Sequence, residues 1–263
     1  MSVASINGQS IYYEDTGHAA AVLAFSHGIL MDREMFAPQV EAFRSRYRCV
    51  AWDERGHGRT AGECLEPFSY YDSADDLAAL LRHLAIDKAV LVGMSQGGFL
   101  SLRCALTHPD LVRALVLIDT QAGTDTPEAN KAILEKVRRW QNGGLSPDIA
   151  DETERLVLGV GWPGAASWRS KWAEMSSTNL AQCFQTLVNR DDILDRMSTI
   201  TVPVLVIHGS ADQAITLDKA ELLASEMPNA KLVVIEDAAH APNLTHANAV
   251  NAAIRTFLDG IPS

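Results

Sequence analysis

Apolar residues along this chain follow two rhythms. Short, nearly continuous apolar runs read as strands buried on both faces, and they fall at residues 21–25, 48–52, 89–92, 114–118, 204–207 and 231–235. Residues 11–15 predict one more short strand, entered from an Asn7-Gly8 turn. Between the runs, apolar residues recur at helical spacing over 36–47, with Pro38 in the first turn, and over 73–84, where Leu77, Leu80, Leu81 and Leu84 share a face. Further helices are predicted over 99–106, stopped before His108-Pro109, over 216–227, stopped by Pro228-Asn229, and over 246–258, ending at Gly260. Strands alternating with helices in this way imply a mostly parallel sheet with helices on both faces.

The alternation breaks between residues 121 and 201, where no run reads as a strand. Helical patterns fill the gap instead, over 127–141, 146–158, 165–175, 180–189 and 191–197, separated by Asn142-Gly143-Gly144 and Gly161-Trp162-Pro163-Gly164. The chain therefore divides into an α/β core, residues 1–120 and 202–263, and a helical cap, residues 121–201. An insertion that leaves the C-terminal end of a strand is placed to roof that edge of the sheet.

Candidate chemistry collects at the same edge. Gly93-Met94-Ser95-Gln96-Gly97 lies between the apolar run at 89–92 and the helix at 99–106, the context a G-x-S-x-G elbow requires. A serine on so sharp a turn leaves no room for Cβ atoms two residues to either side, which accounts for both glycines. A serine hydroxyl needs a base, and the base needs an orienting carboxylate. Asp212 follows the run ending at Ile207 and His240 follows the run ending at Ile235, so both leave strand ends on the serine's side. Asp119, directly after residues 114–118, is the rival carboxylate, with a cap or polar support as its alternative role; Asp237 reads as a turn residue. His27, His57 and His208 are expected to hold loops, and His83, His108 and His246 to lie at helix surfaces or ends. Two N–H donors are needed for a developing oxyanion. The backbone amides of Gln96, after the serine, and of Ile29, in His27-Gly28-Ile29-Leu30, are the candidates.

Composition then excludes several functions. Hydrophobic residues make up 47% of the 263 residues, too many for a disordered chain. A net charge of −11 argues against a nucleic acid or an anionic membrane as partner, since both need a concentrated positive face. The N-terminal residues have neither the basic nor the apolar region of a signal peptide, and no apolar run is long enough to span a membrane. Cys49, Cys64, Cys104 and Cys183 show no metal-ligand spacing, and Cys49 and Cys104 are expected as reduced core residues. A cytoplasmic protein without metal or cofactor is the expectation, with homo-oligomerisation left open.

Taken together, His27-Gly28, Asp53-Glu54-Arg55-Gly56-His57-Gly58, Gly93-Met94-Ser95-Gln96-Gly97-Gly98, the segment Val202-Pro203 to His208-Gly209 and Asp212, and Ala239-His240 resemble the α/β-hydrolase superfamily over essentially the whole chain. The nearest subgroups are small bacterial serine esterases and 3-oxoadipate enol-lactone hydrolases, although the latter are expected to carry Asn-Ser-Leu-Gly where this chain has His27-Gly28-Ile29-Leu30. The resemblance implies an eight-stranded, mostly parallel sheet with a helical cap, and it supports Ser95, Asp212 and His240 as a catalytic triad. Hydrolysis of small to medium, mostly apolar esters or lactones through an acyl-enzyme is the leading reading. Carbon–carbon bond hydrolysis or peracid formation by the same residues, and a non-catalytic ligand receptor, are the alternatives. An apolar substrate pocket is expected from Leu30, Met31, Phe36, Met94, Trp162, Trp168 and Trp172. The basic residues Arg138, Arg139, Arg155, Arg169, Lys171 and Arg190 are expected on solvated helix faces, with a substrate carboxylate as the alternative.

Overall fold

A computed structural model of the protein describes residues 2–17, 19–60, 62 and 65–261. Its centre is an eight-stranded sheet of β1 (Ser2–Ile6), β2 (Gln9–Asp15), β3 (Val22–Ser26), β4 (Arg48–Trp52), β5 (Ala89–Met94), β6 (Val112–Ile118), β7 (Val204–Gly209) and β8 (Ala230–Ile235). The order across the sheet is β1-β2-β4-β3-β5-β6-β7-β8; β1 and β2 pair antiparallel, as do β2 and β4, and all later pairs are parallel. Every residue of β3, β5 and β7 is buried, which explains why continuous apolar runs marked them.

β1 was not expected from the apolar pattern. Its outward positions are exposed and only Ala4 and Ile6 are buried, so pairing with β2 rather than a hydrophobic run makes it a strand. Asn7 and Gly8 join the two with φ of 48° and 78°, the pair of positive values a type I′ hairpin demands.

Helices α1 (Ala37–Phe43), α2 (Tyr70–His83) and α3 (Gln96–Thr107) follow in the first half, and α8 (Leu217–Glu226), α9 (Pro242–Thr245) and α10 (Ala247–Asp259) in the last part. α2 begins earlier than its apolar spacing predicted because Ser69 and Asp72 form a reciprocal capping box. The two faces of each strand feed separate cores. Ala24, Leu91, Leu115 and Leu117 pack with α2, α3 and α8. Their sequence neighbours Leu23, Phe25, Val90, Val92 and Val116 pack with α1 and α10.

Between β6 and β7 the insertion forms α4 (Pro127–Gly143), α5 (Pro147–Val157), α6 (Ala165–Glu174) and α7 (Ser177–Val188). The helix expected over 191–197 is instead a 3-10 helix, Leu194–Thr199. Arg103 on α3 binds both the backbone oxygen of Asp191 (2.8 Å) and its carboxylate (2.5 Å), which draws that backbone out of a helical path, and Asp192 Oδ1 caps the amide of Leu194. Cys49, Cys104 and Cys183 are free and buried, and Cys64 lies outside the described residues. Among the described residues no helix is long and apolar enough to cross a membrane.

Candidate active site

Ser95 sits between β5 and α3 with φ 50° and ψ −113°, in backbone space that a residue with a Cβ enters at a cost of about 1–3 kcal/mol. The turn is held from every side. Its amide donates to Ile118 O (2.8 Å), and its carbonyl accepts from Gly98 N (2.8 Å), Phe99 N (3.1 Å) and Thr120 Oγ1 (2.8 Å). A Cβ on Gly93 would strike the carbonyl of Gly97, and one on Gly97 the carbonyl of Ser26 at the end of β3. The glycines flanking Ser95 are therefore required by the close approach of helix and strand.

Three side chains converge here from the ends of β5, β7 and β8. Ser95 Oγ lies 3.0 Å from His240 Nε2, and His240 Nδ1 lies 2.7 Å from Asp212 Oδ2. All three are buried, exposed by 6%, 6% and 7% in that order. Because a carboxylate can only accept, Nδ1 carries the imidazole proton and Nε2 is left to accept from the serine hydroxyl. The other oxygen of Asp212 accepts from the amides of Ala214 (2.7 Å) and Ile215 (3.2 Å). Burial alone would raise the Asp212 carboxyl, but the adjoining His240 imidazole and, after it, the Ile215 amide hold it below the usual carboxylate range.

Asp119 occupies a different position. It is fully buried at φ 45°, and its Oδ1 accepts from Gly209 N (2.9 Å), tying the end of β6 to that of β7. Burial first, and the neighbouring Asp212 charge second, push its carboxyl well above the ordinary value. His208, between the two carboxyls, donates from Nε2 to Ile215 O (2.8 Å). Polar support of the strand ends is thus the geometry around Asp119, while His240 pairs with Asp212.

The loop after β3 lies against the elbow, where a Cβ on Gly28 would stand 3.5 Å from that of Ser95. Met31 N bonds to Gly28 O (3.1 Å), and Leu30 takes φ 66° to complete the turn. His27 braces this loop, as its position in the sequence suggested: Nδ1 donates to Gly28 O (2.8 Å) and Nε2 accepts from Glu54 N (2.9 Å). That tautomer requires a neutral ring, and burial lowers His27 to about 4. Gln96 opens α3, so its amide has no carbonyl one turn back to which it could donate. Its side chain donates to the buried carboxyl of Glu54, and Ser73 Oγ donates to the same group (2.5 Å). Burial pushes Glu54 up to about 8. One residue thus fastens both loops: Glu54 meets His27 through its backbone and Gln96 through its side chain. The sequence offered only a faint sign of this, a second acidic residue directly after Asp53 at the end of an apolar strand.

Above Ser95 and His240 opens a cavity of about 480 Å³. Ile29, Leu30, Phe99 and Ile215 belong to its core-side wall, and Ile133, Leu156, Val157, Phe184 and Leu187 to the side built by α4, α5 and α7. Of the residues expected to line it, only Leu30 does. Met31, Phe36, Met94, Trp162, Trp168 and Trp172 are absent from its wall. Trp172, fully buried, donates from Nε1 to Leu30 O (3.0 Å) and so supports the loop rather than the cavity. Trp168 packs in the core with Lys171 Nζ 4.6 Å from its ring centre, Phe36 packs on Phe25 with ring centroids 5.1 Å apart, Met94 lies beneath Gly28, and Trp162 covers Gly164. The tryptophans fill space outside the cavity, while aliphatic side chains and Phe184 on three helix faces shape it, together with charged residues such as Glu135, Lys136 and Arg139.

Arg190 also departs from expectation. It is buried beside Phe99, its guanidinium 4.6 Å from the ring centre, and it donates to Asp125 Oδ2 (2.9 Å).

The sheet order, the strained serine at a strand-to-helix turn and the convergence of Asp212 and His240 define a class. The chain belongs to the alpha/beta hydrolase fold family, whose model matches residues 21–157; a second model, described as TAP-like protein, matches residues 169–260. Among similar proteins, 3-oxoadipate enol-lactonase 2 of Acinetobacter baylyi is 26% identical over 249 residues, covering 90% of this chain and 88% of that one. Two solved structures superpose along nearly the full length. A thermophilic esterase from Thermogutta terrifontis, 27% identical, has a TM-score of 0.89 with 99% of this chain and 97% of that chain covered. The enol-lactonase from Burkholderia xenovorans LB400, 26% identical, has a TM-score of 0.89 with 98% and 100% covered.

Proposed function

We propose that this protein is a serine hydrolase that cleaves carboxylic esters or lactones of small to medium size through an acyl-enzyme on Ser95. The observation that carries the reading is the relay from Ser95 Oγ to His240 (3.0 Å) to Asp212 (2.7 Å), opening into a cavity of about 480 Å³. Ser95 Oγ attacks the substrate carbonyl carbon while His240 Nε2 takes its proton, and Asp212 stabilises the imidazolium that forms. The amides of Ile29 and Gln96 receive the negative charge that develops on the carbonyl oxygen. His240 then protonates the departing alkoxide, or the ring oxygen of a lactone, and afterwards activates water to release the acid. Similarity to proteins described as an esterase and as enol-lactonases supports this class of reaction.

Turnover of p-nitrophenyl acetate, and one-to-one labelling by a fluorophosphonate, test the reading. Wild-type protein should show both, and Ser95→Ala should show neither. A wild-type protein that is neither turned over nor labelled would instead be a ligand receptor on this scaffold.

A further inference from the structure

The loop after β3 is also held from the insertion. Trp172 on α6 is fully buried and donates its indole N–H to Leu30 O (3.0 Å). The preceding residue on that helix, Lys171, reaches Asp32 Oδ2 (2.6 Å) and Glu34 Oε2 (2.7 Å). Two consecutive residues thus pin α6 to the loop and to the stretch just beyond it.

The contact has a direction. Gly28 O accepts from Met31 N (3.1 Å), closing a turn whose third residue, Leu30, has φ 66°. Glycine or asparagine usually occupies such a position, because a side chain resists a positive φ. Leu30 is therefore held there by its surroundings, and its carbonyl is the group that Trp172 grasps. Among the described residues every peptide bond is trans, so the C=O and N–H of each peptide unit point in opposite directions. The unit Leu30–Met31 takes a hydrogen bond at its oxygen from Trp172 and gives one at its nitrogen to Gly28 O. The unit Gly28–Ile29 takes that bond at its oxygen and turns its own N–H, that of Ile29, the opposite way. Ile29 lines the cavity together with Ser95, and Gly28 stands beside the elbow.

We infer that Trp172 is a positioning residue for the reaction: its indole N–H starts a one-way chain of hydrogen bonds through the peptide units Leu30–Met31 and Gly28–Ile29 that ends at the Ile29 N–H, the donor to the oxyanion. This rests on the hydrolase reading above, in which Ile29 supplies that donor. Every link points the same way, so each bond polarises the next, and the last N–H is a stronger donor as well as an aimed one. Negative charge at the far end strengthens the whole chain. The gain is therefore made in the transition state, and it enters kcat rather than ground-state binding. His27 Nδ1 makes a second bond to Gly28 O (2.8 Å), so loss of the indole N–H weakens the chain without releasing the loop. The insertion thereby reaches the chemistry through the loop, besides enclosing the substrate.

Trp172→Phe keeps an aromatic ring and removes the indole N–H. Turnover of p-nitrophenyl butyrate, normalised to sites titrated with a fluorophosphonate, should show kcat about tenfold lower and KM within about twofold of wild type, against the roughly 10²–10³ lost with an oxyanion donor itself. An alkyl trifluoromethyl ketone adds to Ser95 Oγ, passes the serine proton to His240 and leaves its negative oxygen where the substrate's would be. Its inhibition constant should rise by the factor by which kcat falls, while that of the matched methyl ketone, which forms no adduct, should not move. Trp168→Phe, one turn away on α6, controls for a smaller buried ring and should leave kcat per titrated site unchanged. Should Trp172→Phe not fold, wild-type protein supplies the reading: the indole N–H resonance of Trp172 should move downfield with the trifluoromethyl ketone and stay in place with the methyl ketone. An unchanged kcat per titrated site, a loss carried by KM, an equal loss in Trp168→Phe, or an indole resonance indifferent to the adduct would overturn the positioning role and leave the hydrolase reading standing. Wild-type protein that neither turns over the ester nor is labelled would overturn both.

Discussion

The end of the sheet and the helical insertion meet at one cavity, yet they are finished to different degrees. At the sheet's end, Ser95 Oγ, both nitrogens of His240 and both oxygens of Asp212 have partners within the protein. On the insertion's side, Gln121, Thr153 and Arg190 keep buried polar atoms that no group among the described residues meets. The triad is fully paired within the protein, whereas buried polar atoms without partners among the described residues stand both on the insertion's side and beside the triad, at Asp119 Oδ2 and His208 Nδ1.

Substitutions at the sheet's end should therefore act on every substrate alike. Ser95→Ala gives the largest effect, a loss on the order of 10⁶ in kcat with the fold intact. Asp212→Asn comes next, at roughly 10⁴, because the imidazole loses the partner that fixes its tautomer. Asp119→Asn should cost far less, since Asp119 already tends to the neutral form and an amide keeps its shape. Assayed side by side, a greater loss in Asp119→Asn would move the carboxylate's role to β6.

The buried carboxyl of Glu54 provides a pH dependence. Its folded value near 8 stands above the ordinary 4.5, so the folded chain holds this proton more tightly than the unfolded chain. The stability this contributes is full below pH 4.5 and is lost as pH rises toward 8. Relative to wild type, Glu54→Gln should gain stability over that interval in urea denaturation. A stability difference that does not vary with pH would show that Glu54 does not titrate there.

The tryptophans offer the smallest and most discriminating contrast. Trp172→Phe leaves the buried carbonyl of Leu30 unmet and should cost about 1–3 kcal/mol of folding stability. Trp162→Ala should leave the ratio of kcat/KM between short and long acyl esters within about twofold of wild type, far below the effect of a direct pocket contact. A clear change in that ratio would return Trp162 to the substrate's path.

Ser95, Asp212 and His240 were legible in the sequence because each follows an apolar run, fully buried in β5 and β7 and mostly half-buried in the edge strand β8, and parallel strands end at one edge. β1 escaped notice because its identity lies in pairing with β2 and in the Asn7-Gly8 turn, with little apolar signal of its own. Glu54 escaped because a buried carboxyl is spelled like a solvated one. The pocket was misread for a related reason. Tryptophan size suggested a substrate wall, but which face of α4, α5 or α7 meets the cavity depends on how the insertion rests on the core, and no local pattern records that. Arg190 was placed in solvent by the same limitation, although Phe99 and Asp125 enclose it.

The 145 positions separating Ser95 from His240 have a consequence during biosynthesis. A ribosome delivers the elbow early, the insertion next, and Asp212 and His240 only with the last two strands of the sheet. Until β8 docks against β7, a nascent chain carries a serine with no base beside it. A partly made or C-terminally clipped chain therefore lacks the relay from Ser95 through His240 to Asp212, which is complete only when the last strand and the loop after it are in place.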